Sequence, residues 1–169
     1  MKNIVLIGFM ACGKSTIGNL LADRLGYRLV DTDEEIVKEQ GRSINDIFAQ
    51  EGEPYFRNLE TQMVEKMCNT LDGCVISTGG GLPIIKGNDE ILKKLGTVIY
   101  LTVTKETVLE RIKGDTSRPL LAQDAKERTQ KLLEFRKPIY EMAADYSVKT
   151  DGRKVEDIVE EIIKICKEN

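Results

Sequence analysis

Residues 5–18 read VLIGFMACGKSTIG: an apolar run, a glycine-spaced loop, then Lys, Ser and Thr. Gly8, Gly13, Lys14 and Ser15 satisfy G-x-x-x-x-G-K-[ST], a pattern whose backbone N–H groups cradle phosphate oxygens while the lysine reaches the terminal phosphates and the hydroxyl takes Mg2+. The setting sharpens the match. Ile4–Ile7 is an apolar run suited to a buried parallel strand, and Ile17, Leu20, Leu21 and Leu25 follow at helical spacing up to Gly26. A strand, a phosphate loop and a helix therefore come in the order such a loop requires, which outweighs a plain glycine turn between the two elements.

The rest of the chain repeats that alternation. Residues 27–31, 74–77, 98–103 and, more weakly, 146–149 read as strands. Between them Phe56, Leu59, Met63 and Met67 mark one helix, and Val155, Ile158, Val159, Ile162 and Cys166 an amphipathic C-terminal one. Ser43 and Asp46 have capping-box spacing before Ile44, Ile47 and Phe48. Alternating strands and helices predict a parallel sheet covered on both faces. Residues 113–125, KGDTSRPLLAQDA, are polar and turn-rich apart from Leu120 and Leu121, and too long for a plain connection; they read as a mobile lid.

Composition narrows the function. A chain of 169 residues, 41% hydrophobic, suits one domain with a real core. With 25 Lys and Arg against 28 Asp and Glu there is no broad basic field, which disfavours a nucleic-acid role. No apolar run approaches the roughly 20 residues of a membrane helix, and Met1 leads straight into a strand, so the expectation is a soluble, cytoplasmic protein. Cys12, Cys68, Cys74 and Cys166 are too dispersed for a C-x-x-C pair and read as reduced packing residues, with Cys12 in the loop open to alkylation. There is no histidine, so any general base is a carboxylate, lysine, tyrosine or water.

Ligands of open α/β sheets gather at the carboxyl ends of strands. After the second strand comes Asp31-Thr32-Asp33-Glu34-Glu35; Asp33 either caps the next helix or faces bound Mg2+ and an acceptor hydroxyl, and the two are compatible. After the third come Thr78 and Gly79-Gly80-Gly81, either a flexible turn or bare backbone whose N–H groups receive an oxyanion. Arg57 pairs locally with Glu60 at a surface, or binds an anion. Arg136 lies one turn from Leu132 and Ile139 of the stripe Leu132, Phe135, Ile139 and Met142, so its charge sits near covered surface and wants an anion, although Pro138 is expected to kink or end that helix near Lys137. Arg118 is an ordinary loop charge or swings onto phosphates. Together these features suggest phosphoryl transfer to a small hydroxylated acid.

In order and spacing, GFMACGKSTIG, DTDEEI, FRNLE at 56–60, STGGG at 77–81, SRPLL at 117–121, RKPIYEMA at 136–143 and the TDGR turn ending at Arg153 resemble the shikimate kinases, of the nucleoside-monophosphate-kinase-like branch of P-loop folds. The resemblance covers essentially the whole chain. It implies a three-layer α/β P-loop kinase fold: a central five-stranded parallel sheet, helices on both faces and a mobile lid. That is one kinase domain over 1–169, with a substrate-binding segment at about 32–61 and the lid at about 112–125.

Carried across, the resemblance puts ATP phosphates on Ala11, Cys12, Gly13, Lys14, Ser15 and Thr16, Mg2+ on Ser15 and, through water, Asp31, and Arg153 beside the adenine. Asp33 contacts the shikimate hydroxyls and serves as base, Arg57, Arg136 and the backbone at Gly79, Gly80 and Gly81 complete the substrate site, and Arg118 closes over the phosphates. Lys14, Asp33 and Arg118 are the catalytic set. Arg111 falls where the family has an adenine-side arginine or else lies on a helix surface. One departure is Ala11, where many family loops carry glycine; positive φ there would cost alanine on the order of 1 kcal/mol. The implied activity is transfer of the γ-phosphoryl group of ATP to the 3-hydroxyl of shikimate by a cytoplasmic monomer without nucleic-acid or membrane partners. Rivals are a gluconate or nucleotide kinase of the same architecture, or a nucleotide-dependent switch without turnover.

Overall fold

The computed structural model describes residues 2–113 and 122–169. Its elements run β1 (Asn3–Ile7), α1 (Lys14–Leu25), β2 (Arg28–Asp31), α2 (Thr32–Gln40), α3 (Ile44–Glu51), α4 (Glu53–Thr70), β3 (Cys74–Ser77), a 3-10 turn (Leu82–Ile84), α5 (Asn88–Leu95), β4 (Gly96–Thr102), α6 (Lys105–Lys113), α7 (Ala122–Ala143), β5 (Tyr146–Lys149) and α8 (Val155–Glu168). All four pairings in the five-stranded sheet are parallel, in the order β2-β3-β1-β4-β5. Helices α1 and α8 pack together on one face; α5 and α7 lie together against β4 on the other.

β1 is buried along its whole length, as its unbroken apolar run requires when helices cover both faces. Its register is fixed at the base by a buried amide: Asn3 Nδ2 donates to the carbonyls of Leu71 and Leu95, each at 3.0 Å, and Asn3 Oδ1 accepts from Cys74 N–H at 2.9 Å. One polar side chain thus ties the exits of α4 and α5 to β1 and β3, with its capacity satisfied. Gly18 in α1 lets the helix lie close on the sheet, since a Cβ there would stand 3.0 Å from Leu29 Cδ1. Ser43 Oγ accepts from Asp46 N–H at 3.1 Å and caps α3, as its spacing predicts. Among the described residues no helix is long and apolar enough to cross a membrane.

Three expectations are corrected. Residues 122–125, grouped with the lid, form the first turn of α7. Pro138 does not end that helix, which continues to Ala143. Proline leaves the carbonyl four residues earlier without its usual donor, but Glu134 and Pro138 are both exposed, so water can reach that group. The inward face of α7 is also not the apolar stripe. Phe135 and Met142 are 63% and 72% exposed, whereas Leu133, Tyr140 and Ala143 are buried with Arg136 between them. Two faces of this helix carry apolar residues at helical spacing, and periodicity alone does not choose between them.

Candidate active site

The site is assembled from the segments that leave the carboxyl ends of β1, β2 and β3 and from side chains of α4 and α7. From β1 the chain enters the glycine loop and reaches α1 through Gly13 at φ 88°, left-handed backbone that glycine adopts without strain. The first-turn amides of Lys14, Ser15 and Thr16 have no intrahelical acceptor and lie at the positive end of the helix, which suits an anion. Lys14 Nζ donates to Gly8 O at 2.7 Å and Phe9 O at 3.2 Å, so the loop is closed on its own lysine. Cys12 N–H is taken by Phe9 O at 3.3 Å, and its thiol, 3.5 Å from Lys14 Nζ, is 1% exposed. Burial corrects the expectation that Cys12 is open to alkylation.

Ala11 has φ 62°, the only non-glycine residue with positive φ among those described. Its carbonyl accepts from Arg111, which settles that arginine against the loop rather than on a free helix surface. Ala11, Gly13, Thr16, Arg111, Thr150 and Arg153 line a cleft of about 330 Å3 beside the loop. Arg153 is held there by Lys149 O at 2.8 Å and Glu161 Oε2 at 2.6 Å.

At the end of β2, Asp31 rather than Asp33 caps α2: Asp31 Oδ1 accepts from the N–H groups of Asp33 (2.9 Å) and Glu34 (3.2 Å). The cap releases the Asp33 carboxylate to turn inward. Burial, and after it the negative Asp31, raise the Asp33 pKa above its ordinary value, while Lys14 and Arg57 pull it down.

Gly79, Gly80 and Gly81 have no positive φ, so neither turn flexibility nor strain accounts for them. Space does. A Cβ on Gly79 would lie 3.0 Å from Asp33 Oδ1 and 3.2 Å from Glu60 Oε2. One on Gly80 would lie 3.3 Å from Arg136 Nη1 and 3.7 Å from both the Tyr140 hydroxyl and Gly8 O of the phosphate loop, and one on Gly81 would stand 2.6 Å from Arg57 Cζ. Gly79 and Gly80 each leave room for two side chains and Gly81 for one, and Gly80 also faces the phosphate loop. Gly79 N–H is itself bonded to Thr32 Oγ1 at 3.1 Å.

Arg57 is not a surface residue paired by chance. Its Nη1 donates to Glu60 Oε1 at 2.6 Å and its Nε to Glu53 Oε1 at 3.3 Å, and Glu60 is completely buried. Burial pushes the Glu60 pKa up to about 7 against the opposing pull of Arg57. Arg136 packs its guanidinium 5.8 Å from the Phe9 ring centroid, within cation–π range, and its buried Nε has no partner among the described residues. Glu60 Oε2 is unpaired in the same way.

Lys14, Asp33, Arg57, Gly79 to Gly81 and Arg136 are therefore brought together, with Ser15 and Asp31 at the edge. Arg118 lies outside the described residues. Thr32, Glu60 and Tyr140 belong to the same constellation, and the sequence alone does not single them out as site residues. Glu60 becomes conspicuous only through its burial. Phe56, Met63 and Met67 of the expected stripe are buried and Leu59 is partly so, but Glu60 and Val64 share that buried side, and an acid there is out of place without a task.

The sequence profile described as "Shikimate kinase" matches residues 10–167. A relative named shikimate kinase from Persephonella marina is 50% identical over 163 residues, covering 96% of this chain and 98% of its own. Among solved structures, a shikimate kinase from Acinetobacter baumannii in complex with shikimate superposes with a TM-score of 0.89 at 35% identity, covering 100% of this chain and 94% of that one. A shikimate kinase from Aquifex aeolicus gives 0.86 at 39% identity, covering 98% and 96%. With the profile spanning nearly the whole chain and relatives this close, the protein belongs to the shikimate kinase family.

Proposed function

We propose that the protein transfers the γ-phosphoryl group of ATP to the 3-hydroxyl of shikimate, giving shikimate 3-phosphate and ADP in the chorismate route to aromatic amino acids. The observation that carries this reading is the crowding of one acid and two arginines, Asp33, Arg136 and Arg57, onto three successive glycines, the middle one of which faces Gly8 O of the phosphate loop. A hydroxylated carboxylic acid offers that site two matching ends. Its carboxylate is met by Arg57, Arg136 and the glycine backbone, and its hydroxyls by Asp33.

ATP lies along the loop, with its phosphates on the amides at Ala11 and Gly13–Thr16 and its base in the cleft between Arg111 and Arg153. Lys14 exchanges the Gly8 and Phe9 carbonyls for the terminal phosphates. The attacking hydroxyl oxygen bonds to the γ-phosphorus, the bond from that phosphorus to the β–γ bridging oxygen breaks, and the hydroxyl proton passes to Asp33. A carboxylate whose pKa burial has raised is a stronger base than one in water, as this step asks. The resemblance assigns Arg118 to the same phosphates. Positioning and charge stabilisation supply nearly all of the catalysis in such a reaction.

The donors present fit Mg2+. Ser15 is exposed at the loop, and Asp31 commits Oδ1 to its cap while Oδ2 accepts no bond among the described residues. No cluster of three or more acidic, Cys or His side chains among them could hold a metal, which suits a cation that takes most of its ligands from phosphate and water. Mg2+ bound there neutralises phosphate charge. On this reading the chain is one kinase domain acting as a cytoplasmic monomer on small molecules.

The test is release of ADP from ATP with shikimate, gluconate, nucleoside monophosphates or no acceptor. Turnover that depends on shikimate supports the reading. Turnover with another acceptor, or tight ATP binding with no acceptor-dependent release, overturns it in favour of a sister kinase or a switch.

A further inference from the structure

Tyr140 is buried on the inner face of α7, one turn beyond Arg136, and its ring packs on Tyr100 of β4 at 5.2 Å between centroids. Its hydroxyl donates to Gly80 O at 2.6 Å. A short bond inside a protein, to the backbone of the loop that separates Asp33 from both arginines, is more than core packing requires. Burial pushes the Tyr140 pKa up to about 12, so the hydroxyl keeps its proton and remains a donor across the working range.

The bond has a geometric consequence. The peptide from Gly80 to Gly81 is planar and trans, so its C=O and N–H point in opposite directions. Holding Gly80 O on Tyr140 aims Gly81 N–H away from α7, and that N–H has no acceptor among the described residues. Glycine on both sides leaves this peptide with little intrinsic preference, so the tyrosine supplies the orientation that the sequence there does not.

We infer that Tyr140 is a positioning residue for the acid's carboxylate: its hydroxyl fixes the Gly80–Gly81 peptide and locks it to the helical turn that carries Arg136. The inference rests on the proposed reading that Arg136 and the glycine backbone receive that carboxylate. When Gly81 N–H donates to the carboxylate, polarisation of the shared peptide strengthens the acceptor at Gly80 O, so substrate and tyrosine reinforce each other through one amide.

Tyr140→Phe keeps the ring and removes only the hydroxyl. The expected result is a rise of roughly five- to tenfold in KM for shikimate, about the effect of one well-placed hydrogen bond, with KM for ATP and kcat within about twofold of wild type. Arg136→Ala, measured alongside, separates the two claims. If it binds shikimate as wild type does, the carboxylate reading falls. If it binds weakly while Tyr140→Phe is unchanged, the tyrosine inference falls and the reading stands. Equal losses toward both substrates in Tyr140→Phe would make the residue a general structural one and overturn the inference. Should the variant fold poorly, the wild-type protein decides: the 13Cζ resonance of Tyr140 shifts on saturation with shikimate and not with ADP, and a resonance unmoved by shikimate overturns the inference.

Discussion

Arg57 Nη1 lies 2.6 Å from Glu60 Oε1, one turn apart on α4, in a pair whose arginine side chain is 25% exposed and whose acid is 1% exposed. Removing an acid so completely from water is costly, and one arginine does not repay it, because Oε2 has no partner among the described residues. The pair makes sense as a mount for Arg57, held against Gly81 at one edge of the site.

Glu60 should impose a pH dependence on stability. Its pKa rises from 4.5 to about 7 on folding, so between those values the native state holds more protons than the unfolded chain. Stability therefore falls as pH climbs through that window and levels off above about 7. In Glu60→Gln that contribution is gone, and stability followed by Tm from pH 5 to 8 should vary less than in wild type, the difference being on the order of 2–3 kcal/mol across the window. A residual slope of the same sign is expected from Asp33, whose pKa is also raised. Parallel Tm profiles for the two proteins would show that Glu60 stays ionised when buried.

Gly81 is predicted to tolerate no side chain, for a reason unrelated to backbone conformation. Its φ is −88°, open to any residue, yet a methyl group would stand 2.6 Å from Arg57 Cζ. Gly81→Ala should leave a folded protein that displaces Arg57, raising KM for shikimate by roughly tenfold or more, the loss of at least one charge-assisted hydrogen bond. KM for ATP should be nearly unchanged. Equal acid affinity in wild type and variant would mean that Arg57 has room to retreat without loss of binding.

The sheet is legible in the sequence because each strand is a compact apolar run bounded by turn residues, and β3 and β5 fall on the expected residues. Boundaries shift where propensity is weak: β4 opens at Gly96, which strand preferences disfavour, because pairing with Asn3 extends the ladder. The phosphate loop and the trio proposed to bind the acid, Asp33, Arg57 and Arg136, carry local or family signatures. Glu60 and Tyr140 do not, since each acts through a partner distant in sequence or across a helix face. Asp33 has the spacing of a possible cap, and only the hydrogen bonds show that Asp31 has that task.

Ala11 is a site of improvement within the phosphate loop. Its φ of 62° is left-handed, where a Cβ costs about 1–2 kcal/mol, while glycine would add roughly 0.4–1 kcal/mol of unfolded-state entropy. The difference favours Ala11→Gly by on the order of 0.5–1 kcal/mol, a Tm gain of about 1–4 °C in a chain of this size. Thermal denaturation checks it, and an unchanged or lower Tm would mean that left-handed backbone at residue 11 costs alanine no more than the unfolded-state entropy that glycine adds.

Asp33→Asn tests the proposed base directly. Asparagine preserves the shape beside Gly79 and can still hydrogen-bond a hydroxyl, but it accepts no proton. Because phosphoryl transfer leans on positioning more than on proton removal, the loss in kcat should fall at the lower end of the general-base range, about 100-fold, with KM for shikimate changed only a few-fold. Wild-type kcat/KM should also decline on the acid side with an inflection above the usual aspartate pKa, because burial and Asp31 hold Asp33 protonated to higher pH. That limb should vanish in the variant. A variant that keeps wild-type kcat, or retains the acid limb, would move the proton to another acceptor, and Glu60, which faces the same glycine, would be the next to replace.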